Sequence, residues 1–240
     1  MKFLAHMKPD ISIVIPVLNE HAVINKTIKV LYHQQFSGIF EVIVVDGSKD
    51  GSTISRIQNK AVIKIISPPG RGPQMNSGAR MASGKIILFL HCDTILPEGA
   101  LNAVLDIMKN QLVKAGAFDL SIDAKGFFYR MIEKTASFRS RITKIPYGDQ
   151  AIFIRKNYFF EIGQYRNIPI MEDVELMQRI KKAKGSIRII NKQTTTSARR
   201  WEQEGALRCT LRNWMILTLF FWGVKPEKLA AFYKPEIDRK

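Results

Sequence analysis

Four short apolar runs in the first hundred residues constrain the fold more than any other feature of this sequence. They lie at residues 11–17, 40–45, 62–66 and 85–91, and segments with helical spacing or dense turn signals separate them. Strands that are apolar along both faces must be covered on both sides, and strands alternating with helices form parallel sheets. Residues 1–97 are therefore predicted to form a doubly wound α/β half of the kind that binds nucleotides.

The second half of the chain has a more mixed pattern. Helices are predicted at 98–109, 124–138, 172–184 and 204–221, and strands at 116–121, 151–155 and 186–190. Neither a repeat nor a linker-like change of composition interrupts the sequence. We therefore expect one α/β domain over residues 1–240, with a mostly parallel, Rossmann-like central sheet flanked by helices. In it, 1–97 would bind nucleotide, 98–203 would form the second half of the domain, and 204–240 would form a helical C-terminal segment.

The formal net charge of +16 indicates an anionic partner: a nucleic acid, an acidic membrane face or a phosphorylated small molecule. Residues 179–240 hold 15 basic and 5 acidic side chains, so most of the excess positive charge lies there. The two cysteines are far apart and are expected to be free thiols in a reducing compartment. The N-terminus lacks a signal-peptide pattern, and the longest apolar stretch, at 214–224, is shorter than the roughly 20 residues that span a bilayer. We expect a cytoplasmic protein that contacts membranes only at their surface.

Polar residues follow three of the predicted strands at their carboxyl ends, where open parallel sheets bind ligands. Asn19 and Glu20 follow the first strand, Asp46 ends the second, and His91 and Asp93 end the fourth. A single aspartate at a strand end is most often a turn former. Three such positions at one sheet edge favour a binding site instead.

His91 and Asp93 are predicted to share one face of the fourth strand, because side chains alternate along a strand. An imidazole and a carboxylate on one face can hold a divalent cation, Mg²⁺ or Mn²⁺, and the histidine favours Mn²⁺. Such a cation would let an acidic sheet edge attract a diphosphate instead of repelling it. The alternative is that His91 is a structural histidine.

Along most of its length the sequence resembles the family 2 glycosyltransferases with the GT-A fold. Residues 13–20 are similar to that family's opening strand and its Pro-x-x-Asn-Glu motif, and residues 44–52 resemble its second motif. Residues 91–94 stand where the family has an Asp-x-Asp metal motif, and residues 171–173 resemble its Glu-Asp motif.

Further motifs resemble the bacterial subgroup called radical-SAM/selenodomain-associated transferase 2. They are Gln-Met-Asn at 74–76, Tyr-Gly-Asp-Gln at 147–150 and Arg-Arg-Trp at 199–201. Two departures from the family pattern stand out. Only Gly47 separates Asp46 from the following serine, where the family has two residues, and His91 replaces the first aspartate of the metal motif.

The resemblance implies transfer of a sugar from a nucleotide-diphosphate donor to an acceptor hydroxyl, with inversion at the anomeric carbon. Asp93 would hold the metal, Asp46 would contact the nucleotide base, and Asp173 would be the general base. The resemblance thus makes residues 98–203 the acceptor and catalytic half. Glu172 precedes Asp173 at a predicted helix start, where acidic residues also stabilise a helix electrostatically. The residues expected to complete the nucleotide-sugar pocket are Pro16, Asn19, Glu20, Arg71 and Asn76.

Two pairs of residues have open roles. Asp149 and Gln150 either orient the acceptor or only shape a turn. Arg199 and Arg200 either reach the diphosphate or form a solvated basic pair, and the neighbouring Trp201 belongs to the same candidate acceptor or diphosphate surface.

The segment 204–224 combines arginines with aromatic residues. This pattern suits an amphipathic helix on an anionic membrane, or a helix docked on the core with its arginines in water. We expect core docking, and we keep a lipid or lipid-linked acceptor as a hypothesis.

Two other classes of function compete with sugar transfer. A nucleotidyltransferase can use a similar sheet, but the position after the first strand lacks the glycine-rich phosphate loop of those enzymes. A non-catalytic nucleotide- or membrane-binding protein is the second alternative. Nucleic acid is the least favoured partner, because the sequence contains no recognised nucleic-acid module.

Overall fold

A computed structural model describes residues 8–233. It contains one mixed eight-stranded sheet in the order β3-β2-β1-β4-β7-β6-β8-β5. The strands are Ile11–Val17 (β1), Phe40–Asp46 (β2), Ile63–Ile66 (β3), Ile86–Phe89 (β4), Thr94–Ile95 (β5), Val113–Asp123 (β6), Phe153–Arg155 (β7) and Ser186–Ser197 (β8). The helices are Ile24–Tyr32 (α1), Arg71–Met81 (α2), Ala100–Met108 (α3), Phe127–Thr143 (α4), Lys156–Glu161 (α5), Glu172–Lys182 (α6), Arg199–Glu204 (α7), Ala206–Phe221 (α8) and Pro226–Ala230 (α9). Two short 3-10 turns lie at Ile54–Arg56 and Gly148–Gln150.

The parallel half of the sheet matches the prediction. β1 is central, pairing with β2 on one side and β4 on the other, and β3 extends the parallel set beyond β2. The other half is mixed, because β7 runs antiparallel to both β4 and β6 while β6 and β8 are parallel. The α/β class is therefore confirmed, and the sheet is less uniformly parallel than the sequence pattern predicted.

Side-chain alternation along β1 divides the core into two layers. Ile11, Ile13 and Ile15 pack with α1 and α3 on one face of the sheet, whereas Val14 packs with α2, α5 and α6 on the other. Helices thus cover both faces, which explains why the strands are apolar at consecutive positions.

Several predicted boundaries are wrong. The helix α2 begins at Arg71, directly after Gly70, whose φ of 121° few other residues adopt. The helix predicted at 204–221 is α8, which begins two residues later at Ala206 because Gly205, with a φ of 85°, separates it from the short helix α7. The strand predicted at 85–91 ends at Phe89. Both cysteines are buried free thiols, as predicted.

Candidate active site

Three neighbouring strand ends meet at one edge of the sheet. β2, β1 and β4 are adjacent and parallel, so their carboxyl ends lie side by side. The amide nitrogen of Gln74 ties two of them together by donating to the carbonyl oxygens of Val17 at 2.7 Å and Val45 at 2.8 Å. Gln74 is buried, so α2 packs against this edge and holds the two strand ends together through its side chain. Pro16, opposite Val45 in the sheet register, lies within the tied region.

The loop after β1 is anchored by contacts to two distant parts of the chain. Asn19 has a φ of 58°, a left-handed conformation that asparagine tolerates better than most residues. The backbone N–H of Glu20 donates to the hydroxyl of Thr53 at 3.1 Å. The carboxylate of Glu20 accepts from Arg199 at 3.0 Å, which links this loop to α7 across 179 positions of sequence.

Asp46 organises the loop that follows β2. One carboxylate oxygen accepts from the backbone N–H and the hydroxyl of Ser48, at 2.9 and 2.7 Å. The other accepts from the backbone N–H groups of Thr53 and Ile54, at 2.9 and 3.1 Å. The carboxylate is fully buried and both oxygens have two partners. A contact from Asp46 to a nucleotide base would have to replace one of these bonds, so that role stays a prediction.

His91 and Asp93 do not share a strand face, and that prediction is wrong. β4 ends at Phe89, and residues 91–94 form a turn in which the N–H of Thr94 donates to the carbonyl of His91 at 3.1 Å. The chain turns here because β5 must reach the end of β8, where Thr94 pairs with Thr196. Asp93 is joined to the same place, since its carbonyl accepts from the N–H of Ser197 at 3.2 Å.

The carboxylate of Asp173 is held by two backbone N–H groups at the start of α6. Gly148 donates to one oxygen at 2.6 Å, and Val174 donates to the other at 2.7 Å. A Cβ atom on Gly148 would lie 2.6 Å from His91 Nε2 and 3.5 Å from Asp173 Oδ2. A side chain at this position would displace the imidazole of His91, and its absence lets His91, Gly148 and Asp173 lie close together.

Two left-handed residues without the freedom of glycine flank this point. Met171, immediately before α6, has a φ of 68°, and Ala151, after the 3-10 turn, has a φ of 49°. Such conformations cost on the order of 1–3 kcal/mol each and cluster at functional sites. Here they fix the entry of α6 and the exit of the turn on either side of the Gly148–Asp173 bond.

Four acidic residues share an electrostatically coupled environment. Burial and then the negative charge of Asp173 raise the pKa of Asp149 to about 6, with Asp93 adding to the shift. Burial and the adjacent Asp173 also raise the pKa of Glu172. Burial raises the pKa of Asp173 itself, although its two backbone N–H partners oppose the shift. The coupling shows that the structure brings these four predicted residues together.

Arg71 is the cation of this cluster. Arg71 is exposed at the surface, and the cost of partly desolvating its guanidinium is outweighed by the carboxylates of Glu172, Asp173 and Asp93, which raise the pKa of Arg71. Burial of the imidazole, and then the charge of the same guanidinium, lower the pKa of His91 to about 3. His91 is therefore neutral near pH 7, the state in which an imidazole nitrogen can bind a metal or accept a proton.

The residues of the cluster fit a divalent cation that takes only part of its ligands from the protein. Within residues 8–233, histidine, cysteine, aspartate and glutamate form no group of three or more that could hold a metal ion by themselves. Asp93 and the neutral His91 offer two donors of the types that Mn²⁺ accepts. The mutual repulsion of Asp93, Asp149 and Asp173 is also what a cation would relieve. The donor set thus suits a metal whose remaining ligands come from a bound phosphate.

The side chains of two predicted contact residues, Asn76 and Gln150, form hydrogen bonds within the protein. Asn76 exchanges two hydrogen bonds with the backbone of Tyr165, at 2.8 and 3.0 Å. Gln150 is buried and donates to the carbonyl of Phe118 at 2.8 Å and to the hydroxyl of Ser140 at 3.0 Å. Both amides are engaged inside the protein, so contacts from Asn76 to nucleotide and from Gln150 to acceptor stay predictions.

Arg139 is a site residue that the sequence did not reveal. Its guanidinium stacks on the ring of Tyr147 at 3.6 Å and donates to the carbonyl of Ile145 at 2.8 Å. Its other terminal nitrogen and Asp149 Oδ1 are both buried, and neither has a hydrogen-bond partner among the residues the structure describes. Arg139 is one of several basic residues of α4, so only the fold distinguishes it.

The Arg-Arg-Trp motif forms the start of α7 beside the site. Arg200 stacks on the ring of Tyr233 at 4.1 Å, and Tyr233 is close enough to Arg71 to affect its pKa. Trp201 is half-buried and packs against a small cluster that includes Leu120. The motif thus lies between the site and the rest of the C-terminal segment.

Solved structures with the same fold define the class. The structure is similar to TarS of Staphylococcus aureus, with a TM-score of 0.60 and 16% identity over 80% of this chain and 37% of that one. It is also similar to the mannosyltransferase PcManGT of Pyrobaculum calidifontis, solved with GDP-Man and Mn²⁺, with a TM-score of 0.57 and 17% identity over 79% of this chain and 57% of that one. The fold is the GT-A fold of glycosyltransferases.

Residues 12–168, well over half of the chain, match the family Glycosyl transferase family 2. The protein therefore belongs to that family.

The relatives span several bacterial enzymes. One is the GalNAc(5)-diNAcBac-PP-undecaprenol beta-1,3-glucosyltransferase of Campylobacter jejuni, 30% identical over 105 residues, which cover 40% of this chain and 34% of that protein. Another is the probable glycosyltransferase YdaM of Bacillus subtilis, 28% identical over 230 residues, which cover 85% of this chain and 53% of that protein. The chain thus spans between a third and about half of these relatives' lengths.

Proposed function

We propose that this glycosyltransferase transfers a sugar from a nucleotide-diphosphate donor to an acceptor hydroxyl with inversion, and that Asp173 is the general base. The single observation that carries the proposal is the fixed carboxylate of Asp173, held by the N–H of Gly148 at 2.6 Å and surrounded by Arg71, Asp149 and Glu172. This is a basic group of raised pKa at the carboxyl edge of a nucleotide-binding sheet.

The donor would lie along the edge formed by the ends of β1, β2 and β4. Arg71 supplies a cation for the diphosphate, and the Glu20–Arg199 pair closes the edge on the side of α7. PcManGT was solved with GDP-Man, which supports a nucleotide-sugar donor for this chain as well.

Asp93 would hold a divalent metal, with His91 as its second protein ligand. The metal, Mn²⁺ or Mg²⁺, supplies charge neutralisation for the leaving diphosphate when it is bound. The Mn²⁺ in the PcManGT structure supports this choice of ion. Neutral His91, beside the positive charge of Arg71, is available as a donor near pH 7.

Asp173 would accept the proton of the acceptor hydroxyl. The acceptor oxygen then forms a bond to the anomeric carbon from the face opposite the diphosphate, the carbon–oxygen bond to the diphosphate breaks, and the nucleoside diphosphate leaves. Each oxygen of Asp173 keeps a lone pair beyond its bond to a backbone N–H, so it can take up this proton without losing its orientation. Asp149, next to Asp173, is the side chain best suited to orient the acceptor.

The acceptor is proposed to be a lipid-linked molecule, met at the cytoplasmic face of the membrane. The Campylobacter jejuni relative carries an undecaprenol-linked substrate in its name, which supports this class of acceptor.

The test is a screen of UDP-, GDP- and dTDP-sugars for Mn²⁺-dependent release of nucleoside diphosphate, with Asp173→Asn beside the natural chain. Asp106→Asn is the matched control, since Asp106 lies exposed on α3 and pairs only with Lys109 in the contacts described. We expect release by the natural chain and the control, and loss in Asp173→Asn. Equal release by Asp173→Asn would overturn the assignment of the base.

Two alternative functions predict different products. A nucleotidyltransferase would release pyrophosphate from a nucleoside triphosphate, whereas sugar transfer releases a nucleoside diphosphate. A non-catalytic nucleotide- or membrane-binding protein would gain thermal stability with nucleotide and Mn²⁺ but release neither product.

A further inference from the structure

The outward face of α8 is apolar. Leu207, Leu211, Trp214, Met215, Phe221 and Trp222 are all exposed, Trp222 at 78% and Trp214 at 57%. At 3.6 residues per turn these six positions fall within a sector of about 120° of the helix. We call this sector the apolar strip. A helix on a protein surface ordinarily turns such a sector toward the core.

The opposite side of α8 already provides its attachment to the protein. Cys209 and Ile216 are fully buried, and Leu217 and Phe220 pack against the core layer that contains Val14. The prediction of core docking is therefore correct only for this narrow side. Within residues 8–233, packing on that side leaves the apolar strip facing outward.

The neighbouring helix α4 repeats the arrangement. Phe127, Met131, Phe138 and Ile142 recur at helical spacing and are exposed at 86, 44, 67 and 64%. α4 and α8 are in contact, so a second set of exposed apolar residues lies on the helix beside the apolar strip.

Within α4 and α8 themselves, the charged residues that face solvent are basic. α8 contains arginines and no acidic residue. The one acidic residue of α4 is Glu133, which is buried, bonds to the backbone of Ile122 and pairs with Arg130. Arg208 on α8 and Lys134 on α4 are exposed cations. A partner for this surface must therefore combine an apolar layer with negative charge.

We propose that α8 and α4 bind the surface of a bilayer containing anionic lipids, with the apolar strip in the interface and the cations at the headgroups. Tryptophan and phenylalanine beside basic residues are the composition of interfacial helices. A second copy of this chain fits less well, because a symmetric contact would bring like charges together. The described helices include none long and apolar enough to cross a membrane, and α8, at about 24 Å, suits a position along the surface.

This surface is connected to the candidate site through α7. Arg199 pairs with Glu20 at one end of α7, and α8 follows Gly205 at the other. A membrane-bound protein would therefore hold its site close to acceptors that lie in the same bilayer. This last step rests on the proposed function, whereas membrane binding itself does not.

The test is co-sedimentation of the full chain with vesicles of phosphatidylcholine alone and with vesicles containing one-third phosphatidylglycerol, at low and high salt. We expect binding to the anionic vesicles that weakens with salt. Trp214→Ser combined with Trp222→Ser should weaken it by about tenfold or more, because both indoles leave the interface. Arg208→Gln combined with Lys134→Gln should reduce the salt dependence.

Leu112→Ser is the matched control, because Leu112 is 75% exposed but lies on neither α4 nor α8. Circular dichroism checks that each variant is folded, and donor hydrolysis in the absence of vesicles should be the same in all of them. Absence of binding at low salt, or equal binding by the double tryptophan variant, would overturn the proposal. So would a dimer that depends on Trp214 and Trp222 without vesicle binding. If the natural chain bound the anionic vesicles but hydrolysed no donor, the result would count against the proposed function and not against membrane binding.

Discussion

At the scale of single residues, the chemistry of the site depends on how Asp173 is held. Two backbone N–H groups orient its carboxylate, and a neighbouring glycine admits His91 at a distance that no side chain at position 148 would allow. Glu172 and Asp149 lie close enough to couple with it, while Arg71 and Arg139 oppose their charge. Repulsion from the neighbouring carboxylates and attraction to the two arginines thus oppose each other, and Asp173 remains a basic carboxylate in a partly dehydrated cluster.

Asp173→Asn should lower kcat by about 10²–10⁴-fold, because the amide cannot accept a proton although it keeps the size of the side chain. The KM for the donor should change little, since Asp173 acts on the acceptor. Steady-state kinetics with the donor found in the screen measures both constants. A large rise in KM with an unchanged kcat would instead assign Asp173 to donor binding.

Asp149→Asn should shift the acid limb of the pH profile downward. A general base works only when deprotonated, so activity falls as the pH drops through the raised pKa of the carboxyl cluster. Burial and the charge of Asp173 raise the pKa of Asp149 to about 6. Because the repulsion between the two carboxylates is mutual, Asp149, when ionised above that pH, disfavours ionisation of Asp173. Removing that charge should move the limb of kcat/KM by about one pH unit toward acid. An unmoved or alkaline-shifted limb would show that the two carboxyl groups do not couple.

The sequence predicts the residues of this cluster better than their partners. Asp93, Glu172, Asp173 and Arg71 share one electrostatic environment because motifs at strand ends and helix starts meet where the topology requires. The sequence could not reveal Arg139, because its importance arises from stacking on Tyr147 after α4 has packed.

Other parts of the site were not predictable for a similar reason. Asp46, Asn76 and Gln150 are polar residues at motif positions, and only the folded chain shows that their side chains bond to neighbouring backbone and hydroxyl groups. Sequence spacing identifies a residue near a site, but it does not distinguish a side chain that binds a ligand from one that forms hydrogen bonds within the protein.

At the scale of elements, close packing of α2 on β1 keeps the sheet edge in place. A Cβ atom on Gly78 would lie 2.3 Å from Val14 Cγ1 and 3.0 Å from Val45 Cγ2. Because Gly78 has no side chain, α2 can approach both strands and carry Gln74 to their carbonyl groups.

Gly78→Ala should therefore lower the free energy of unfolding by about 1–3 kcal/mol, less the part recovered from the better helix propensity of alanine. Urea titration followed by circular dichroism measures the change. Ser77→Ala on the same helix, at a partly exposed position, serves as control and should change stability by less than about 0.5 kcal/mol. A Gly78→Ala variant as stable as the natural chain would show that α2 can shift away from β1.

Strands that correspond to continuous apolar runs were predicted correctly, whereas strand ends that depend on a turn and a distant pairing were not. β1 and β2 follow from apolar runs, whereas the early end of β4 follows from the pairing of β5 with β8, between residues about a hundred positions apart. A local pattern contains no information about such a distant partner.

At the scale of the whole molecule, the two halves of the sheet share their core layers. The layer containing Ile11 also includes Val113, Phe118, Phe153 and Ile190 from the second half. The C-terminal helices join the same body, since Leu217 and Phe220 pack against the other layer and Trp201 packs against the cluster on β6. This sharing predicts that residues 8–233 unfold as one unit.

The positions of the tryptophans make that prediction testable. All three, Trp201, Trp214 and Trp222, lie in α7 or at α8, so fluorescence reports the C-terminal segment while far-UV circular dichroism reports mainly the rest of the fold. A variant with Trp214→Phe and Trp222→Phe leaves the half-buried Trp201 as the single reporter. Its fluorescence and circular dichroism transitions in urea should coincide, because two-state unfolding of one cooperative unit gives the same midpoint by every probe. A fluorescence transition at lower urea would mean that α7 and α8 separate before the sheet unfolds, and the C-terminal segment would then be a distinct unit.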